Sequence, residues 1–212
     1  MKESTREIIL QTSLKLFNER GVNGITLRQI ASESEMSQGN LNYHFKKKED
    51  ILKELFNQFS IILTNEFTEV SKLGPNFYFI FELARKTIVI QMQYRFLIVD
   101  LNYLIQDLPQ IEAAVKDSML LRINQFKQLF KGFVDKGFMR KPEYKTEYEE
   151  LANRLYILGV YSILPLVKEY DLNESKTIKK YLSIILSACY PYLTKVGKTT
   201  YTITAQDYGM NI

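Results

Sequence analysis

Two helix-start signals set close together, at Thr26 and Ser37, constrain this chain more than any other feature in it. Thr26-x-x-Gln29 has the form of a capping box, in which the hydroxyl takes a backbone amide and the amide side chain reaches back. Ser37 is a second N-cap residue, so the intervening chain has room for one short helix and a tight turn. The first short helix buries Leu27, Ile30 and Ala31. The second, within Ser37-Gln38-Gly39-Asn40-Leu41-Asn42-Tyr43-His44-Phe45, turns Leu41 inward. Lys48-Glu49-Asp50-Ile51-Leu52 then opens a long helix. Two short helices joined this way form a device that presents one helix end to DNA.

The remaining chain carries helical periodicity nearly throughout. Ser4-x-x-Glu7 starts a helix that Gly21 ends, and a long helix is expected from about Lys47 to Ser71. Leu73-Gly74-Pro75-Asn76 is the clearest break. Apolar helical segments follow at about 77–91 and 94–106, and Pro109 suits the first turn of a helix that stops at Gly137. Segments 147–168 and 174–193 each hold a proline expected to kink them. From Gly197 the chain reads as a polar tail, in which Thr200–Thr204 alternates like a strand without a partner.

Composition narrows the setting. The net charge is +4, but residues 1–53 carry nine basic and seven acidic residues, so bulk charge does not mark a nucleic-acid face. A lone cysteine, Cys189, excludes an intrachain disulfide and fits a reducing compartment. The N-terminus has no signal-peptide core, and the uncharged runs are shorter than the roughly 18 apolar residues a membrane span needs. A cytoplasmic protein is expected.

With its spacings intact, the set Phe17, Gly21, Thr26, Ile30, Ala31, Ser37, Gly39, Leu41, His44, Phe45, Lys48, Glu49 and Leu52 resembles the DNA-binding domain of TetR-type transcriptional regulators. Beyond Pro75 the resemblance rests on helicity, length, Asp100-Leu101 and Gly137. It implies an all-α fold: a three-helix helix-turn-helix domain over 1–47, a larger helical effector-binding and dimerisation domain over 48–195, and the polar C-terminal tail over 196–212. It further implies a regulator, in most cases a repressor, that a small-molecule effector releases from a double-stranded DNA operator. Two positions depart from the family pattern. Glu35 stands where the turn usually has glycine in a left-handed conformation, at a cost of about 1–2 kcal/mol, which predicts an altered turn. Asn42 stands where tyrosine is usual.

Side-chain chemistry assigns roles within the motif. Gln38, Asn40 and Asn42 both donate and accept, as base reading in the major groove demands. Gly39 either lets the backbone approach a duplex or relieves crowding against a neighbouring helix. Thr26 and Ser37 lie at helix N-termini, whose free amides favour phosphate; Tyr43, His44 and Lys48 are further phosphate contacts. Lys46-Lys47-Lys48 oppose the dipole of the helix they open, a penalty that an outside anion removes.

One histidine and one cysteine cannot assemble the usual zinc set, and no phosphate loop or nucleophile elbow is present, so no metal, cofactor or enzymatic role is expected. Tyr103, Arg122 and Tyr156 are the effector-site candidates, because tyrosine and isolated arginine suit a pocket for an amphipathic molecule. The faces Leu151, Leu155, Leu158, Ser162 and Leu182, Ile185, Leu186, Cys189 suggest a homodimer through the two C-terminal helices. The rival reading is a helical small-molecule binder whose helix-turn-helix makes protein contacts.

Overall fold

A computed structural model describes residues 4–168 and 173–210. The described chain is helical, with Met139 and Leu193 meeting in an isolated antiparallel bridge. It divides into two compact units, one made of residues up to Ile62 with Tyr94–Ala114, the other of Leu63–Gln93 and the chain from Val115.

The first unit begins with α1 (Thr5–Arg20), capped by the Ser4 hydroxyl, which accepts the Glu7 amide proton. α2 (Leu27–Glu33) and α3 (Gln38–His44) follow, then α4 (Lys48–Ser71), whose first half belongs here. Ile9, Leu16, Phe17, Val22, Ile25, Ile30, Leu41, Ile51 and Leu52 are almost fully buried and form one apolar core. The segment expected as one helix over 94–106 is two: α6 (Phe96–Val99) and α7 (Leu101–Asp107). The break falls at Asp100, whose carboxylate accepts the Val22 N–H at 2.9 Å. Asn18 likewise accepts the Phe96 N–H at 3.0 Å, and the Phe17 and Phe96 rings lie 5.3 Å apart.

The second unit contains α5 (Phe77–Gln93), most of α8 (Pro109–Asp135), α9 (Glu147–Tyr161), α10 (Glu174–Ser187) and α11 (Lys195–Asp207). α10 and α11 pack on α5, and α10 also packs on α9. The Gly159 carbonyl, near the end of α9, accepts from Gln91 at 2.9 Å and from the Tyr181 hydroxyl at 3.2 Å, so a buried polar node joins α5, α9 and α10. Gly137, with φ +73°, ends the turn after α8 in the left-handed region.

Three expectations change. The prolines end their helices rather than kinking them, since Pro165 and Pro191 sit in short 3-10 turns, Leu164–Leu166 and Tyr190–Tyr192. The expected polar tail is instead α11. Gly197, Tyr201 and Ala205 recur every four residues on its buried side, and the alternating threonines disguise that period. Tyr201 packs its ring 5.4 Å from Phe81 and 5.8 Å from Phe77, and a Cβ at Gly197 would sit 2.0 Å from the Phe138 carbonyl oxygen. Asn211 and Ile212 lie outside the described residues. Finally, Leu151, Leu155, Leu182, Ile185, Leu186 and Cys189 are buried within the single chain, with Leu158 and Ser162 half-buried. These faces therefore contribute mainly to this chain's own core.

Candidate nucleic-acid interface

The capping box at Thr26 is complete. Its hydroxyl accepts the Gln29 amide proton while the Gln29 side chain accepts the Thr26 N–H at 2.8 Å. Ser37 caps α3 by accepting the Asn40 N–H at 3.2 Å. Between them Glu35 adopts φ 54°, and the Met36 N–H closes back onto the Ala31 carbonyl at 3.0 Å. The left-handed turn is therefore kept with glutamate in it, and the altered turn expected from the missing glycine does not occur.

This turn aims α3 outward by one anchor. Leu41 is completely buried, while Gln38, Gly39, Asn40, Asn42 and Tyr43 are exposed. Tyr43 is 84% exposed, and its ring stands edge-on to the half-buried His44 at 5.2 Å. A Cβ at Gly39 would meet nothing closer than the Ser37 hydroxyl at 3.9 Å. Crowding inside the fold thus gives no reason for glycine there, and the close-approach reading is left.

Lys48 does more than the sequence suggests. Its half-buried ammonium donates to the carbonyls of Val22 at 3.0 Å and Ile25 at 3.2 Å, closing the loop that leads to Thr26. The lysine run also opposes the dipole of α4 less than expected. The helix starts at Lys48, places Glu49 and Asp50 in its first turn, and the Asp50 carboxylate accepts the Lys47 N–H at 3.1 Å. Beside the far end of α3 lies an open concavity of about 530 Å³, lined by Arg6, Tyr43, His44, Lys46 and Lys53 with Asp50 and Glu54. Arg6 pairs with Glu54 at 3.0 Å and lies 5.2 Å over the Phe45 ring. Arg6 escaped sequence reasoning because it is distant from α3 along the chain and joins it only through the fold, and Lys53, though it directly follows Leu52, because nothing in the pattern marks which face of the long helix it takes.

The effector-site candidates fall in different units. Tyr103, half-buried in α7, belongs to the first. Arg122 and Tyr156 belong to the second and lie close enough to interact electrostatically. Arg122 donates to Gln125 Oε1 at 2.7 Å and Thr64 Oγ1 at 3.0 Å, with its guanidinium 5.9 Å over the Phe67 ring. Burial pulls its pKa down and pushes that of Tyr156 up.

Family comparison fits this geometry. A family model described as "Bacterial regulatory proteins, tetR family" matches residues 9–55, and one described as "Bacterial transcriptional repressor" (TetR) matches residues 59–201. The chain belongs to the TetR family of bacterial transcriptional regulators. TetR membership favours a DNA-binding regulator over a helical binder with a repurposed helix-turn-helix. Among TetR-family relatives, the repressor KstR2 of Rhodococcus jostii is 25% identical over 196 residues, 87% of this chain and 91% of KstR2. Curated regulators matched at 32–42% identity align over only 20–28% of their own length. A TetR-family regulator from Marinobacter aquaeolei superimposes with a TM-score of 0.86 at 22% identity, over 97% of this chain and 99% of that one. SmeT in complex with triclosan shares the fold with a TM-score of 0.63 at 15% identity, over 91% and 93% of the two chains. Among the described residues no group of His, Cys, Asp or Glu is arranged to hold a metal ion, and no helix is long and apolar enough to cross a membrane.

Proposed function

We propose that the protein is a transcriptional repressor that reads an operator with α3 and leaves it when a small molecule binds. The carrying observation is the exposed row Gln38, Gly39, Asn40, Asn42 and Tyr43 fixed by the fully buried Leu41. Gln38 and Asn40 take the base edges, with Asn42 beside them, because amides pair bidentately with adenine. Thr26 and Ser37 bring helix N-termini to phosphate, and Tyr43, His44 and Lys48 extend that contact toward Arg6, Lys46 and Lys53. In this reading residues 1–47 are the DNA-reading domain and 48–195 the domain for effector and partner.

The small-molecule reading is supported by SmeT, a protein of this fold held with triclosan, and by the half-buried Arg122 and Tyr156. Tyr103 remains a candidate in the first unit. A homodimer follows from the reading mode, since two copies present two α3 helices to half-sites about 34–36 Å apart. An apolar seam that a second copy could use is Ile157, Tyr161 and Leu164, exposed at helical spacing along α9 and the turn after it.

A gel shift with the DNA upstream of the protein's own gene tests the proposal. A specific complex, weakening steeply between low and moderate salt, is expected. Binding that ignores both sequence and salt would overturn it.

A further inference from the structure

The half-buried arginines elsewhere in the second unit are matched by carboxylates, while the exposed Arg154 donates to the Tyr192 hydroxyl at 2.7 Å. Arg85 pairs with Glu82 at 2.6 Å, and Arg140 with Glu147 at 2.6 Å. Arg122 is not. Its bonds go to the neutral oxygens of Gln125 and Thr64, its face to Phe67, and it has no carboxylate partner among the described residues. A guanidinium carries five N–H donors, so two bonds leave three unspent. Withdrawing such a charge from water without an opposite charge is costly, and a fold keeps it where something else supplies the anion. The neighbouring Tyr156 hydroxyl also has no hydrogen-bond partner among the described residues, which adds a neutral donor beside the cation.

We infer that Arg122 recognises the effector through a carboxylate carried on an apolar or aromatic body. The inference rests on the effector reading above and narrows it to a chemical class. A planar carboxylate matches the guanidinium fork, whose unspent donors can grip both oxygens, and Tyr156 offers an O–H to the same group. The rings of Phe67 and Tyr156 supply the apolar surface for the rest of the molecule. Gln125 and Thr64 are positioning residues: each takes one guanidinium N–H and so fixes the orientation of the fork.

Isothermal titration of the full chain with two matched pairs tests this: decanoate against 1-decanol, and 4-phenylbutyrate against 4-phenylbutanol. Each acid should bind at least about tenfold more tightly than its alcohol, as a charge-assisted pair in a sheltered site implies. Arg122→Met should abolish that preference and leave alcohol affinity within about twofold, because the apolar surface is untouched. Tyr156→Phe, which keeps the ring, should reduce the preference without removing it, and it serves if Arg122→Met does not fold. Equal binding of acid and alcohol by the unaltered protein, or a preference that survives Arg122→Met, overturns the inference while leaving the effector reading in place. Failure of all four compounds to bind overturns both.

Discussion

The ammonium of Lys48 holds the carbonyls of Val22 and Ile25, at 3.0 and 3.2 Å, so the first turn of α4 fixes the loop that delivers Thr26. Val22 is held from its other side too, its N–H bound by Asp100 at 2.9 Å. The placement of the α2 N-terminus therefore depends on a residue that sequence pattern marks only as a phosphate contact. Lys48→Met should cost about 1–3 kcal/mol of unfolding free energy, since two carbonyls lose a charged donor. Operator affinity should fall for every sequence alike, and the slope of log K against log salt should shrink by about one charge. Denaturant unfolding and salt-dependent gel shifts check the two parts. A stability loss with an unchanged slope would assign Lys48 to scaffolding alone.

Tyr43 and Asn40 share α3 but differ in what they should do. Tyr43→Phe removes one hydroxyl from an exposed ring, and weaker binding is expected on all sequences by a similar factor. Asn40→Ala should relax preference at one base pair, worth about 1–3 kcal/mol of discrimination. Binding to a randomised operator library separates the outcomes. Uniform weakening by Asn40→Ala contradicts its assignment to a base.

Glu35 occupies a left-handed conformation at φ 54°, a region that glycine enters without a steric penalty. Glycine removes a strain of about 1–2 kcal/mol but adds unfolded-state entropy worth about 0.4–1 kcal/mol. Glu35→Gly should therefore raise the melting temperature by a few degrees and leave operator preference unchanged. A lower melting temperature would mean that the glutamate side chain offsets the strain in a way the geometry does not reveal.

The helix-turn-helix was legible because its signals are local: caps at Thr26 and Ser37, a single inward Leu41, and amides facing out. The contribution of Arg6 was not, because long-range packing brings it to α3, nor was that of Lys53, whose face on α4 the local pattern leaves open. In the larger unit the faces of α9 and α10 were apolar enough to suggest a partner, yet apolarity alone cannot tell a helix that covers its own core from one that covers a neighbour. α11 was misread for a related reason. Its buried stripe consists of Gly197, Tyr201 and Ala205, two of them too small to register as a hydrophobic period. Tyr103 and Arg122 read alike in sequence, but the fold places them in different units.

Acid should loosen the second unit through Glu147. Its carboxylate takes the Arg140 guanidinium at 2.6 and 2.8 Å and the Glu143 N–H at 2.7 Å, and these bonds hold its pKa at about 2 although burial opposes them. A depressed carboxylate adds stability that is complete above its unfolded value near 4.5 and is lost as pH falls toward 2. Unfolding free energy measured across that window should decline, and Glu147→Gln should flatten the decline while lowering stability at neutral pH. An unchanged slope in Glu147→Gln would place the acid sensitivity elsewhere.

The pairing of two copies is open to an equally direct test. Ile157 and Tyr161 are each 51% exposed, one turn apart on α9, and Leu164 continues the line at 44%. The apolar faces once expected to pair lie mainly under the chain's own helices, and this seam is one that a second copy could use. Ile157→Glu places a charge in it without disturbing the core, because Leu151, Leu155 and Leu182 on the inward side keep their contacts. Sedimentation should then show a folded monomer with an unchanged helical spectrum. Operator binding should collapse by far more than one lost contact explains, since two reading helices no longer arrive together. A variant that remains a dimer with full operator affinity would move the interface off α9. One that becomes monomeric yet binds a full operator as tightly as before would show that a single α3 suffices, and that the half-site geometry plays no part in recognition.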